Sequence, residues 1–385
     1  MRPEGSRPIA VALSGGGDSL ALTLIADRWA RARARDLLIL TVDHGLRAES
    51  AGWTARCAAI AHRLDRPFKA LAWIGDKPAR GAPAAARRAR QALLADAARD
   101  ARAAVVLMGH TADDLAEAAA MRTAGSTVPA PKAWAPSPAW PEGRGVFLLR
   151  PLLDARRTDI RAWLEARGET WIDDPSNEDL RFARARARRT RPAPIARSGP
   201  TPLALADEVV ERAGVFHVPR NALRAASPED VMRLTGLAAV CAGGGARAPA
   251  RERNHRLATA LRTTAPVLAT LAGARIEAGD TTVAFMREAG EFQRGGLAAI
   301  QAPGVWDGRF EIDGEGEVRR LHGVASRLPR DQRAALREIL PAARGALPAR
   351  IGPDGGVTCP ALTGTPSLVG ARFQAAAGRI QREPA

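Results

Sequence analysis

The chain of 385 residues is long enough for two or more domains, each with its own hydrophobic core. Apolar residues make up 46% of it, yet no apolar run approaches the roughly 18 residues of a membrane span, which argues against a membrane protein. The N-terminus also lacks the apolar stretch of a signal peptide, so we expect a cytoplasmic location. Its cysteines are far apart and form no CxxC pair, which argues against zinc ribbons, iron–sulfur clusters and disulfide frameworks.

The charge balance favours a polyanionic partner. The chain carries 57 basic and 41 acidic residues, a net charge of +16, and nearly all the positive charge is arginine. Binding to nucleic acid would release condensed counterions for each phosphate that is neutralised. The alternative is a solvated basic surface that reflects arginine-rich coding alone.

The first half of the chain alternates short apolar runs with helical stretches, which predicts a doubly wound α/β domain over residues 1–190. Continuous apolar strands separated by helices are typical of a parallel sheet covered on both faces, with the ligand site at the carboxyl ends of the strands. The predicted strands are residues 9–13, 37–42, 68–74, 104–109 and 146–152. The predicted helices are residues 19–35, 49–64, 82–102, 113–123 and 156–167.

The remaining segments are less regular. The proline-rich stretch 127–145 breaks the alternation and is either a surface loop or a lid beside the site. A second proline-rich stretch, 190–202, is the predicted domain linker. Residues 203–271 are alanine-rich with a mostly helical period, and strand-like alternation begins at residue 275. We therefore predict a smaller helical and β-containing C-terminal region, 203–385, with a binding or accessory role.

The segment SGGGDS, residues 14–19, joins the first predicted strand to the first helix. A Walker loop requires a lysine where Asp18 stands, and a dinucleotide fingerprint requires a glycine where Leu20 stands. What remains is either a tight turn with a helix cap or a glycine loop whose amides bind phosphate at a helix N-terminus. An aspartate beside bound phosphates implies a bridging Mg²⁺. SGGGDS resembles the SGGxDS signature of the PP-loop ATP pyrophosphatases, which cleave ATP between the α and β phosphates.

Four further segments carry clustered charge. VDHGLR ends the second strand, and ARRAR opens a helix with either a solvated arginine face or a phosphate site. GHTADDLAE follows the fourth strand and places Asp113, Asp114 and Glu117 together, either as an acidic helix start or as a pocket for a cationic amine. The stretch 173–191 (DDPSNEDLRFARARARRTR) contains a run of arginines suited to a phosphate track.

In this order, the segments resemble the tRNA(Ile)-lysidine synthetases, whose motifs are SGGxDS, VDHGLR, ARxxRY, HxxDDQxET and DPSN followed by FxRNRxR. The resemblance covers about residues 9 to 190 and implies ATP-dependent ligation of free L-lysine to the wobble cytidine of a tRNA(Ile) with a CAU anticodon, through an adenylated base. It implies ATP binding by Ser14, Gly15, Gly16, Gly17, Asp18, Ser19, Asp43 and His44, with Asp18 at the Mg²⁺. It implies catalytic roles for Asp18, His110, Asp114 and Glu117, and substrate contacts from Arg47, Arg87, Arg88, Asp113, Arg184, Arg186 and Arg188.

The chain departs from the family motifs at several neutral positions, namely Gln91, Leu115, Ala118 and Ala185. Two other functions therefore stay open. One is a PP-loop enzyme that thiolates tRNA, although Cys57, Cys241 and Cys359 are poorly placed to carry sulfur. The other is a non-catalytic RNA-binding relative. The oligomeric state is open, with a homodimer as one candidate.

Overall fold

The computed structural model describes residues 5–46, 49–75, 77, 82–125, 131, 134–136, 146–173, 183–189, 202–245, 248–294, 296–365 and 367–379. The described residues up to 189 form one compact unit, and those from 202 to 379 form a second. In neither unit do the described residues include a helix long and apolar enough to cross a membrane.

The first unit is built on a six-stranded sheet in the order β3-β2-β1-β4-β6-β5. Five of these strands are parallel, and β5 pairs antiparallel with β6 at one edge. The strands are β1 (Ile9–Ala12), β2 (Leu37–Asp43), β3 (Phe68–Ala72), β4 (Val105–Leu107), β5 (Trp134–Pro136) and β6 (Phe147–Leu149). The helices are α1 (Gly17–Arg31), α2 (Ser50–Arg63), α3 (Ala82–Asp100), α4 (Ala112–Thr123), α5 (Arg157–Glu165) and α6 (Ala183–Arg189).

Helices cover both faces of this sheet, which confirms the doubly wound α/β prediction. Buried residues of α1, α2 and α5 pack with Ile9, Val11 and Ile39 on one face. Buried residues of α3 pack with Ala10 and Leu40 on the other face. Successive strand residues point to opposite faces, so a strand buried on both sides is apolar throughout. The strand order reverses between β1 and β4, which places the ligand site of such a fold at their carboxyl ends.

The proline-rich stretch 127–145 is only partly described, and its described part contains β5, an edge strand that the sequence pattern did not reveal. An edge strand tolerates proline because one side of its backbone has no neighbour to bond. The rest of this stretch, and with it the prediction of a lid, lies outside the described residues. Residues 174–182 and positions 190–201 of the predicted linker lie outside them as well.

The second unit contains two antiparallel sheets, β7-β8-β11-β10-β9 and β12-β13-β14-β15. The strands are β7 (Val210–Arg212), β8 (Val215–Pro219), β9 (Val267–Leu271), β10 (Ala274–Ala278), β11 (Thr282–Arg287), β12 (Ile300–Trp306), β13 (Phe310–Arg320), β14 (Pro348–Ile351) and β15 (Val357–Thr358). The helices are α7 (Arg220–Ala225), α8 (Pro228–Ala242), α9 (Arg251–Leu261), α10 (Arg330–Arg337), α11 (Pro341–Arg344) and α12 (Leu368–Ala376).

The expectation of a mostly helical stretch from 203 to 271 is wrong in part, because β7, β8 and β9 lie within it. These strands are three to five residues long, too short for their alternation to stand out beside the alanine-rich period of α8. Helices and strands are therefore interleaved in this unit, and residues of α8, α9 and α12 share one core with the first of its sheets.

Candidate active site

The glycine loop, residues 14–17, leads from β1 into α1 beside the segment Trp171–Ile172. Gly15 has a φ of +83°, and a Cβ there would overlap the Cδ1 atom of Ile172. A Cβ on Gly17 would lie 3.4 Å from the Trp171 ring, whereas around Gly16 the nearest atoms are 3.8 Å away. Gly15 thus meets both a backbone and a space requirement that only glycine satisfies, and the loop is most open at Gly16.

The two serines of this loop hold its shape. The Ser19 hydroxyl donates to the carbonyl oxygen of Gly16 at 2.9 Å, and the backbone N–H of Ser14 donates to the Ser19 Oγ at 3.2 Å. Their hydroxyl oxygens are 3.1 Å apart. The loop is therefore closed on itself at the N-terminus of α1, where backbone amides and the helix dipole favour an anion.

Asp18 lies in the first turn of α1, close to the segment that follows β4. A Cβ on Gly109 would lie 2.9 Å from the carbonyl oxygen of Asp18, so glycine allows the two segments to meet. The Asp18 carboxylate is 21% exposed and accepts a hydrogen bond from the Arg157 Nε at 3.0 Å. Burial raises the pKa of Asp18, and the opposing effect of Arg157 does not cancel it.

Three more carboxylates come from the start of α4. The Asp114 Oδ2 accepts from the backbone N–H of Thr111 at 2.7 Å, which fixes the beginning of the helix. The Asp113 Oδ2 accepts from the backbone N–H of Arg157 at 2.7 Å. The side chains of Asp114 and Glu117 are only 6% and 3% exposed, so each needs a cation to offset its burial. We call Asp18, Asp113, Asp114 and Glu117 the acidic cluster.

Arg157, the first residue of α5, connects the whole acidic cluster. Besides its bond to Asp18, its guanidinium donates to Glu117 at 3.0 Å and to Asp114 at 3.3 Å. Burial lowers its pKa, but the carboxylates of Asp114, Asp18 and Glu117 outweigh this and raise the pKa above its usual value. Sequence reasoning missed this residue. Its only signal in the sequence is its position at the start of a predicted helix. The helix dipole disfavours a cation there, so Arg157 needs an anionic partner.

Two arginines of α6 complete the partners of the acidic cluster. Arg184 donates from Nε to Glu117 at 2.7 Å and from its terminal nitrogen to Asp114, and Arg188 donates from Nε to Glu117 at 2.7 Å. Arg186 on the same helix is exposed, and Ala185 is buried. Small residues at 185 and 187 let α6 pack closely on α4, which gives the departure at position 185 a physical reason.

A second group of cations, the arginine cluster, consists of Arg87, Arg90 and Arg150. Burial and the neighbouring arginines lower the pKa of Arg90 and of Arg150 to about 10, and burial with the field of Arg184 lowers that of Arg87. The Nε of Arg90 is buried without a hydrogen-bond partner among the described residues. Cations buried side by side are costly, and a bound anion would offset that cost.

His110 lies against the arginine cluster. Its Nδ1 accepts from the Arg150 Nε at 3.2 Å, and burial together with the charges of Arg150 and Arg90 lowers its pKa to about 2. His110 is therefore neutral at physiological pH, and the accepting Nδ1 leaves the hydrogen on Nε2.

Asp43 and His44 lie at the end of β2, beside β1. The Asp43 Oδ1 accepts from the backbone N–H of Gly45 at 2.7 Å, and the His44 ring meets Trp73 edge to face at 6.3 Å. The His44 Nδ1 is buried without a partner among the described residues, and its pKa is lowered by burial and then by Arg90. Within the described part of the chain, neither residue forms a hydrogen bond or an ion pair with the acidic cluster. Arg47 and the side chain of Arg88 lie outside the described residues.

The described residues contain no group of three or more His, Cys, Asp or Glu side chains arranged to hold a metal. Mg²⁺ does not need one, because it keeps several waters and usually takes one or two carboxylates together with substrate phosphates. Asp18, partly exposed in the first turn of α1, fits the role of that single protein ligand.

Comparisons with known proteins agree with this geometry. Residues 1–191 match the PP-loop domain family. The tRNA(Ile)-lysidine synthase of Caulobacter vibrioides is 46% identical over 100% of this chain and 96% of its own length. That of Hyphomonas neptunium is 35% identical over 77% of this chain and 85% of its own, and that of Bradyrhizobium diazoefficiens is 43% identical over 50% and 53%. Because the similarity extends over both units, the chain belongs to the tRNA(Ile)-lysidine synthase family.

Proposed function

We propose that this enzyme ligates free L-lysine to the wobble cytidine of a tRNA(Ile) with a CAU anticodon, using ATP and releasing AMP and pyrophosphate. One observation carries the proposal. A glycine loop at a helix N-terminus and a cluster of four carboxylates meet where the strand order reverses between β1 and β4, in a chain of this family. This arrangement supports an ATP site next to a site for a cationic amine.

In the first step, the cytosine O2 attacks the α-phosphorus of ATP, and the bond to the bridging oxygen breaks to release pyrophosphate. Backbone amides of the glycine loop bind the phosphates, and Asp18 is the residue that would hold Mg²⁺. When bound, Mg²⁺ supplies positive charge against the phosphate oxygens. Arg87 and Arg90 add fixed positive charge where negative charge develops, in a buried setting where such charge acts strongly.

In the second step, the lysine ε-amine attacks C2 of the adenylated base, and AMP leaves. Asp114 and Glu117 bind the ammonium group and take the proton that the amine must lose before it attacks. His110 is neutral and therefore does not repel the ammonium. Its Nε2–H can donate to an oxygen of the base or of the departing AMP.

The buried state of the cysteines argues against the thiolation alternative. Cys57, Cys241 and Cys359 are all buried and unbridged. Burial raises the pKa of the Cys57 thiol and raises that of Cys359 to about 12, so neither is a thiolate at neutral pH. Sulfur transfer requires an accessible thiolate, and these residues do not provide one.

We further propose that the C-terminal region binds tRNA as an accessory unit. On α10, Arg330, Arg333 and Arg337 are exposed and share one face by their spacing, whereas Gln332 and Leu336 of the same helix are buried. A row of exposed arginines suits a phosphate backbone. We also propose a location in the cytoplasm, where the tRNA substrate is expected, and a homodimer is one candidate for the oligomeric state.

The test is to incubate the full chain with ATP, Mg²⁺, labelled lysine and a tRNA(Ile) transcript with the CAU anticodon. We expect label in the RNA that depends on ATP, and none with a transcript in which uridine replaces the wobble cytidine. If a folded protein binds the transcript but transfers no label, the non-catalytic alternative is correct and the proposed function fails.

A further inference from the structure

Arg184 and Arg188 of α6 lie between the buried carboxylates of α4 and the solvent. The side chains of Asp114 and Glu117 are 6% and 3% exposed, whereas those of Arg184 and Arg188 are 40% and 28% exposed. In the protein without substrates, these two arginines therefore close the acidic cluster on its solvent side.

Every carboxylate oxygen of Asp114 and Glu117 already accepts a hydrogen bond. The Asp114 Oδ1 accepts from Arg157 and Arg184, and its Oδ2 accepts from Thr111. The Glu117 Oε1 accepts from Arg157 and Arg188, and its Oε2 accepts from Arg184. Because the two carboxylates are buried beneath these guanidinium groups, a lysine ammonium, which has three donors and no acceptor, must displace a guanidinium to reach them.

The α6 arginines are easier to displace than Arg157. Arg157 is 19% exposed, bridges three carboxylates, and is also tied to Asp113 by its backbone N–H. Arg184 contacts two carboxylates and Arg188 contacts one, and both are more exposed than Arg157, but a buried carboxylate left without a cation is strongly unfavourable. Withdrawal of Arg184 and Arg188 is therefore favourable only when another cation replaces them and an anion receives them.

The composition of α6 suits such an exchange. At 100° per residue, Arg184, Ala185, Ala187 and Arg188 share the side that faces α4, and Arg186 and Arg189 lie on the exposed side. A nucleic-acid backbone that approaches the exposed arginines offers phosphates, and arginine pairs with phosphate through two parallel hydrogen bonds.

We propose that Arg184 and Arg188 block the lysine pocket until tRNA binds, so that each of these two substrates increases the affinity of the protein for the other. Phosphates of the tRNA take the two guanidinium groups, and the lysine ammonium takes their place on Asp114 and Glu117. The inference rests on the proposed function and specifies how its amine site is regulated. Because coupling between two ligands is reciprocal, tRNA tightens lysine binding by the factor by which lysine tightens tRNA binding.

The experiment measures lysine affinity by equilibrium dialysis of labelled lysine against the full chain, without ATP so that no chemistry occurs. In the wild-type protein, the tRNA(Ile) transcript should tighten lysine binding by roughly fivefold or more. Without tRNA, the Arg184→Ala/Arg188→Ala protein should already bind lysine tighter than the wild type, and tRNA should add little. Arg28→Ala, which removes an exposed arginine of α1, is the control and should behave as the wild type does.

Two results would contradict the proposal that Arg184 and Arg188 block the lysine pocket. One is a double variant that keeps its thermal unfolding transition and binds lysine no tighter than the wild type. The other, which needs no variant, is wild-type lysine affinity that is the same with and without tRNA. If either occurs while the wild type forms lysidine, only this inference fails. If the wild type transfers no lysine to tRNA, the proposed function fails, and this inference fails with it.

Discussion

Arginine occupies two opposite environments within one site. In the acidic cluster, carboxylates outweigh the effect of burial and raise the pKa of Arg157 and of Arg184. In the arginine cluster, burial and neighbouring guanidinium groups lower the pKa of Arg90 and of Arg150 to about 10. Carboxylates of the protein therefore stabilise the charged forms of Arg157 and Arg184. Burial and like charge destabilise the charged forms of Arg90 and Arg150.

This difference indicates what each side of the site binds. Internal arginines already neutralise the acidic cluster. A further cation, such as a lysine ammonium, would therefore bind there by replacing one of these arginines. The arginine cluster carries buried positive charge that a phosphate would stabilise. The two sides meet near Asp18 and His110, and the proposed reaction requires ATP, base and amine to come together there.

The largest expected effect is at Asp18, which contacts Arg157 within the acidic cluster and is the proposed Mg²⁺ ligand. Asp18→Ala should slow pyrophosphate release about a thousandfold, because loss of the bound Mg²⁺ removes several kcal/mol of charge stabilisation. Release of labelled pyrophosphate from ATP in the presence of tRNA measures this. Asp159→Ala, an exposed acid on α5, is the control. Release at the wild-type rate in the Asp18 variant would place the metal elsewhere.

Exchange of an arginine for methionine should affect stability oppositely in the two clusters. Arg157→Met removes the cation shared by Asp18 and the two buried carboxylates Asp114 and Glu117, and should lower the free energy of unfolding by about 3 kcal/mol. Arg90→Met replaces a buried cation by an apolar side chain of similar length and should change stability by less than about 1 kcal/mol, or increase it.

Denaturant unfolding of both variants, followed by circular dichroism, measures this contrast. Arg157→Lys serves as the conservative variant, because it keeps the positive charge but replaces a guanidinium that reaches three partners by a single ammonium. Its loss in the free energy of unfolding should be intermediate. Equal destabilisation by Arg157→Met and Arg90→Met would remove the distinction between the clusters.

His110 links the arginine cluster to the pH dependence of stability. Its pKa in the folded protein is lowered to about 2, whereas an unfolded histidine titrates near 6.5. Its contribution to stability is therefore complete above pH 6.5 and is lost as the pH falls below that value. Between pH 6.5 and 5, the wild type should lose about 2 kcal/mol through this residue, and His110→Asn should not. His255→Asn, an exposed histidine in the second unit, is the control. Identical pH profiles for the wild type and His110→Asn would contradict the burial of His110 among cations.

The smallest effect is expected at Arg186, which is exposed on α6 and belongs to neither cluster. Arg186→Ala should weaken tRNA binding and reduce the slope of log affinity against log salt by about 1, the loss expected for one phosphate contact. Filter binding at several salt concentrations measures it, with exposed Arg28→Ala on α1 as the control. An unchanged slope would remove Arg186 from the phosphate track.

The sequence predicted the catalytic fold well because its strands are buried on both faces and separated by long helices, as β1 and α1 illustrate. It also indicated the acidic residues of α4, since like charges on one helix face need a partner. The partner itself, Arg157, was not identified, because its only local signal, its place at the start of α5, does not show which of 57 basic residues pairs with these acids. The strands β7, β8 and β9 were missed because their pairing is with distant parts of the chain.

A paired kinetic measurement tests the central claim, that the acidic cluster binds the amine and the arginine cluster binds phosphate. Lysine and ATP are varied separately in lysidine formation by Glu117→Gln and Arg90→Met. We predict that Glu117→Gln raises the KM for lysine about tenfold or more with little change in the KM for ATP, and that Arg90→Met raises the KM for ATP and leaves that for lysine unchanged. The reverse pattern, or equal changes in both constants for both variants, would contradict the account.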